Sequence, residues 1–263
     1  MSVISKDSSN SSIVSQLVSI VGADYVQDDE KAREFYSTDL SYTDGEVADV
    51  VVSPGNTDQL SQCLATAAAS GLPIVPRGGG MSYTMGYQPE QPSSVLIDMR
   101  RMNKIIDLNT EDMYVTVEAG CTWKDLYEQL MDGDVPVRTP YFGPLSGMYA
   151  TIGGAVSQNS LFLGSGIYNT VAESVLGMKV VLADGNILQT GSAAHKNGSP
   201  FFRHFGPDLT GIFTADTGAF GIKSEITLRL IEAPSVTLFM SFGFNTIEEM
   251  LATQTVLARK RIC

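Results

Sequence analysis

The sequence predicts a mixed α/β fold, of the α+β type, on three observations. Between residues 47 and 77 a buried strand, an amphipathic helix and a second strand follow one another. Further on, period-two apolar runs recur at 114–120, 175–190 and 222–230. Three segments rich in glycine and small polar residues interrupt these elements, and two of them directly follow or precede a strand.

The elements can be justified in order. After a Ser- and Asn-rich start, "IVSQLVSIVG" has helical spacing, and 28–33 continues as an acidic helical surface. "VADVVVSPG" (47–55) reads as a strand stopped by Pro54 and Gly55. "TDQLSQCLATAAASG" then forms a helix, with Thr57 as its cap and Gly71 at its end. "LPIVPR" is a strand that delivers the chain into "GGGMS". "VLID" (95–98) and "YVTVEAG" (114–120) are further strands. In "TWKDLYEQLMDGD", Thr122 caps a helix whose apolar side is Trp123, Leu126, Tyr127 and Leu130. Residues 135–169 show little periodicity but many small residues, the mark of an ordered functional stretch. Asp184-Gly185 turns a hairpin. A strand through Ile226, Leu228 and Leu230 ends at Pro234. "VTLFMSFGF" is expected as one more strand, followed by a helix opened by a Thr246/Glu249 capping box.

Composition narrows the function. The 263 residues are 43% hydrophobic, enough for a full core. Lys and Arg number 17 against 29 acidic residues, a net charge of -12, which disfavours nucleic acid as a partner. No run is long and apolar enough for a transmembrane segment, and the start lacks the regions of a secretory signal, so the expected compartment is cytoplasmic. Cys63, Cys121 and Cys263 are widely spaced without a CxxC pair and are read as reduced structural thiols. His195 and His204 show no metal spacing, so no metal site is expected. His204 either faces a pocket or bonds locally.

The chemistry lies in the glycine segments. "RGGG" (77–80) offers successive amides with no bulk before them and suits a pyrophosphate, although a flexible turn would look the same. It is not a P-loop, since no Gly-Lys-Ser/Thr follows, and it lacks the GxGxxG spacing of a Rossmann fingerprint. "GPLSGMYATIGGAVSQNS" (143–160) and "DTGAFGIKSEITLRL" (216–230) are the other two segments.

In this order and spacing, the segments resemble the FAD-linked oxidases of the vanillyl-alcohol-oxidase and p-cresol-methylhydroxylase superfamily. The branch with D-lactate dehydrogenases, the glycolate oxidase flavin subunit and alkyl-dihydroxyacetonephosphate synthase is the nearer likeness. The resemblance spans about 45–235 and implies a two-subdomain FAD-binding domain of p-cresol-methylhydroxylase (PCMH) type, with subdomains at about 45–140 and 141–235. Residues 1–44 would be a helical extension, and 236–263 the first strand and helix of an incomplete cap domain.

The resemblance also assigns residues. Pro76, Arg77, Gly78, Gly79, Gly80, Met81 and Ser82 match the pyrophosphate loop. Gly143, Pro144, Ser146, Thr151, Gly153, Gly154, Ser157 and Asn159 match the segment along the flavin and its ribityl chain. Thr217, Gly218, Gly221 and Ile222 belong to the segment whose backbone meets the cofactor. Met81 stands where covalent members place histidine, so FAD is expected to be noncovalent. The family's second-motif glycine falls at Phe162 and its Tyr-Gly pair reads Tyr168-Asn169, which puts bulk near the flavin.

The implied activity is a flavoprotein oxidoreductase acting on CH-OH groups, a 2-hydroxy acid dehydrogenase passing a hydride from a D-lactate- or glycolate-like substrate to FAD. Alternatives are a phenol or benzylic-alcohol oxidase, an alkyl-transfer flavoenzyme, or a non-catalytic FAD-binding subunit. No catalytic residue or electron acceptor can be named from these residues. A small-molecule substrate is expected, with a homo-oligomer or partner subunit covering the face an incomplete cap would expose.

Overall fold

A computed structural model describes residues 4–41, 45–132, 135–141, 145–236 and 238–261. In chain order the elements are α1 (Ile4–Val21), β1 (Val26–Gln27), α2 (Glu30–Tyr36), β2 (Val50–Val52), α3 (Thr57–Ala69), β3 (Ile74–Arg77), β4 (Val95–Asp98), β5 (Ile105–Asn109), β6 (Tyr114–Glu118) and α4 (Trp123–Asp132). There follow β7 (Val137–Arg138), α5 (Ile152–Gln158), α6 (Ser165–Tyr168), β8 (Val175–Val181), β9 (Ile187–Gln189), α7 (Leu209–Ile212), β10 (Ile222–Arg229), β11 (Ile231–Glu232) and α8 (Ile247–Lys260).

Two sheets carry the fold. The first has the order β1-β2-β4-β3, with β2, β4 and β3 parallel and β1 antiparallel at the edge. Its apolar strands are buried on both faces, which is why "VVV" and "VLI" read as continuous runs rather than alternations. Val50, Val52, Val95 and Ile97 join Ile13, Leu17 and Val21 of α1 and Leu60, Cys63, Leu64 and Ala67 of α3 in the main core. On the opposite face, Val51 and Leu96 pack with Ala48 and Tyr36. The N-terminal segment is therefore built into the first layer. Its helix is core and β1 is a sheet strand, so it is not an appendage to it.

The second sheet is antiparallel, in the order β5-β6-β10-β8-β9. Ile226 lies opposite both Val117 and Met178, which places the alternating residues of β10 at the centre of the core. The β8–β9 turn forms at Asp184-Gly185, where Gly185 has φ +85° and Asp184 Oδ1 accepts from Asn186 N at 2.9 Å. Because β5 and β6 belong to this sheet, the two layers divide after Arg101, well before the boundary near residue 140 expected from the sequence.

Local signals are met with small differences. Asn56, not Thr57, caps α3, its side chain accepting from Gln59 N. Thr122 and Asp125 form a reciprocal cap on α4, where Tyr127 is exposed beside buried Trp123, Leu126 and Leu130. The expected strand within 236–244 does not form. Among the described residues this stretch pairs with nothing, and Leu238, Phe239 and Met240 are exposed, since a lone strand has no neighbour to complete its hydrogen bonds. The helix after it does form, with Thr246 Oγ1 accepting from Glu249 N. Cys63 and Cys121 are free and buried, and burial pushes both thiols up to about 12. Cys263 lies outside the described residues.

Candidate functional site

β3 runs parallel to β4, with Arg77 beside Asp98. The chain after Arg77 therefore leaves from the carboxyl edge of the parallel strands, where open α/β sheets place ligands. There it faces the second layer across a cleft of about 450 Å³. The three glycine segments meet in this cleft. Pro76, Arg77, Gly78, Gly79, Gly80, Met81 and Ser82 line one side. Ser146, Thr151, Gly153, Gly154, Ser157 and Asn159 line the second, and Thr217, Gly218, Gly221 and Ile222 the third. Gly143 and Pro144 lie outside the described residues.

Each segment is fixed by backbone bonds. Thr151 caps α5, its Oγ1 accepting from Gly154 N at 3.2 Å. Ile152 N donates to Cys121 O and Gly153 N to Ala119 O, both at 2.8 Å, which seats α5 on the end of β6. The turn before β10 is bonded to α5, with Ala215 N donating to Val156 O and Thr217 N to Ser157 O. Ala215 (φ +56°) and Thr217 (φ +51°) hold a backbone that side chains disfavour, and such strain gathers at functional sites.

The glycines work differently from the sequence expectation. A Cβ on Gly79 would collide with the carbonyl oxygen of Tyr149, and one on Gly78 with Thr151 Oγ1. The bare positions therefore let the loop press onto the second layer; they do not clear space for a ligand. The left-handed backbone belongs to Gly80, at φ +74°. What the loop offers the cleft is its amides. Among the described residues, those of Gly79, Gly80, Met81 and Ser82 have no acceptor within the chain.

The charge of the cleft opposes that of the whole chain. No Asp or Glu is among its lining residues, whereas Arg77 and Lys223 are. Arg77 is 5% exposed and stacks over Tyr36, Tyr87 and Phe35 at 5.0, 5.2 and 5.7 Å. It donates to Gly78 O at 3.2 Å, and its Nε has no partner among the described residues. Burial lowers its pKa, and burial also raises that of Tyr87 to about 12, so the ring stays neutral against the cation. The Tyr87 hydroxyl donates to Thr38 O, and Leu40 N to Ser82 O, so the N-terminal segment braces this loop.

The donor set fits FAD. Spare amides, the Arg77 guanidinium and a lining without carboxylates suit a pyrophosphate, with Lys223 paired to Asp216 behind the lining, and Met81, Leu161, Phe162 and Ile222 give the apolar surface a ring system needs. Sequence reasoning missed Tyr87, Gln158 and Lys223 as lining residues. For Lys223 the sequence carries no signal, because it stands beside Ser224 and Glu225 at the half-polar start of β10. His204 is exposed against Phe202 and does not line the cleft. Among the described residues no His, Cys, Asp and Glu group is placed to hold a metal ion.

Residues 48–191 match the family model described as "FAD binding domain". The chain belongs to this family. FAD is the cofactor of such a domain. The chain is 30% identical over 241 residues to the glycolate oxidase subunit GlcD of Bacillus subtilis (strain 168), covering 92% of this chain and 49% of that protein. It is 33% identical over 238 residues to a probable mitochondrial D-lactate dehydrogenase of Danio rerio, covering 90% and 46%. The chain thus spans about half the length of the relatives it matches. Its FAD-binding domain has the fold of p-cresol methylhydroxylase with substrate bound, at TM-score 0.75 and 22% identity over 88% of this chain and 45% of that one. A 4-ethylphenol oxidase from Gulosibacter chungangensis gives 0.74 and 25%, over 87% and 44%.

Two departures from the family pattern now have a place in the FAD-binding domain. Phe162 lines the cleft and packs edge-on against Trp123, with ring centroids 5.2 Å apart. Asn169, at φ 63° and ψ -149°, holds a backbone suited to glycine, the residue the resemblance leads one to expect there.

Proposed function

We propose that this chain is the FAD-binding part of a flavin-dependent oxidoreductase acting on a CH-OH group, with a small 2-hydroxy acid as substrate and FAD held noncovalently. The cleft carries the reading: three glycine segments converge on a space with spare amides, two cations and no lining carboxylate. The names of relatives, a glycolate oxidase subunit and a D-lactate dehydrogenase, support the substrate class. Bound there, FAD supplies the two-electron oxidation of the substrate's carbinol carbon. The 79–82 amides and Arg77 would hold its pyrophosphate. Segments 146–159 and 217–222 would lie along the rest of the cofactor. Met81 has no nitrogen to form the link that histidine makes in covalent members, so the cofactor is removable.

The segment from 236 onward is read as the opening of a cap, a reading its exposed Leu238, Phe239 and Met240 support. The cap, a second copy or a partner subunit would cover that face, and the electron acceptor would be a separate partner. A cytoplasmic location fits the described residues, none of whose helices is long and apolar enough to cross a membrane. Similarity to 4-ethylphenol oxidase supports a second reading, oxidation of a phenol, at lower identity than the hydroxy-acid relatives.

Anaerobic mixing of the FAD-loaded protein with D-lactate, glycolate or D-2-hydroxyglutarate is expected to bleach the flavin absorbance. Bleaching by vanillyl alcohol or a 4-alkylphenol alone would reject the hydroxy-acid substrate.

A further inference from the structure

Lys223 sits at the start of β10, its side chain 2% exposed, against Asp216 at 1%. Its Nζ donates to Asp216 Oδ1, its one partner among the described residues. An ammonium group has three donors, so two remain unused in a place where water cannot readily serve them. Asp216 Oδ1 also accepts from Gly218 N at 3.0 Å, while Oδ2 is buried without a partner among the described residues. A buried pair left this incomplete is a poor stabiliser, because desolvation of both charges offsets their attraction. Lys223 lines the cleft, and Asp216 stands behind it, outside the lining. Two unused donors on a lysine that lines the cleft therefore point to a ligand.

We propose that Lys223 contacts the bound cofactor, its two spare N–H donors meeting acceptor atoms of FAD, with Asp216 as the counter-charge that positions it. This rests on FAD occupying the cleft. Burial works to deprotonate Lys223, and the adjoining Asp216 carboxylate opposes that loss.

FAD titration separates a ligand contact from a purely structural pair. The double variant Asp216→Asn/Lys223→Met removes both charges, keeps an acceptor for Gly218 N and preserves the volume of the lysine stem. It is expected to fold, by circular dichroism, and to bind FAD about 10- to 100-fold more weakly, the effect of losing hydrogen bonds from a charged donor. Asp216→Asn alone keeps the lysine but removes the counter-charge that holds it protonated and in place, and is expected to weaken FAD binding clearly less than the double variant does. If the double variant binds FAD as tightly as the unaltered protein, or Asp216→Asn weakens binding as much as the double variant, the pair is structural and the proposal falls. Failure of the unaltered protein to bind FAD would instead overturn the cofactor reading of the cleft.

Discussion

Gly79→Val is expected to leave little FAD binding and a lower melting temperature. A Cβ at this position would overlap the Tyr149 carbonyl oxygen, which is backbone and cannot rotate away. The loop must then lift off the second layer, carrying the spare amides of residues 79–82 with it. Overpacking of this kind costs about 1–3 kcal/mol or more, worth several degrees in a domain of this size. The loss of affinity should exceed that of any single contact, because all the loop donors move together. Gly166→Val is the control, since nothing lies within 4 Å of a Cβ there and Gly166 does not line the cleft. It should bind FAD normally. A folded Gly79→Val protein with stoichiometric FAD would refute the docked-loop account. The sequence marks the glycines of this loop for a different reason, namely that amides with no bulk before them suit a pyrophosphate.

Arg77→Met carries the second large effect. The guanidinium lies beside Gly78 and Gly80 and is roofed by three aromatic rings. Methionine replaces much of its volume but neither its charge nor its planar stack. FAD affinity is expected to fall about 10- to 100-fold, the range for a charged hydrogen-bond donor, and the melting temperature to drop as the cation–π contacts are lost. Arg77→Lys should fall between, because an ammonium keeps the charge without the flat face. Unchanged affinity in Arg77→Met by isothermal titration would place the anion site elsewhere.

The lining of the candidate site was more legible in the sequence than the layering of the fold. Pro76 to Ser82 and Thr217 to Ile222 could be read because a tight backbone approach needs residues without bulk, and that need leaves glycines in order along the chain. The layer boundary was hidden because β4 passes through a single helical turn, Met99–Arg101, into β5 with no Gly or Pro and only Asn103 to mark the change of sheet. β5 itself is an edge strand whose Ile106 is 48% exposed, so its pattern does not alternate cleanly between core and solvent. The strand expected within 236–244 shows the reverse error. Its residues have the right composition, but a strand exists only with a partner. Lys223 illustrates a third limit, since a lysine in a strand is ordinarily read as solvent-facing and only the fold shows Asp216 beneath it.

Titration of purified, cofactor-stripped protein with FAD, followed by flavin fluorescence and then by acid precipitation, tests the central claim most directly. The account predicts saturation at one FAD per chain and complete release of the yellow colour into the acid supernatant. A folded protein that leaves FAD fluorescence unchanged at millimolar cofactor, or colour that stays with the acid pellet, would contradict it.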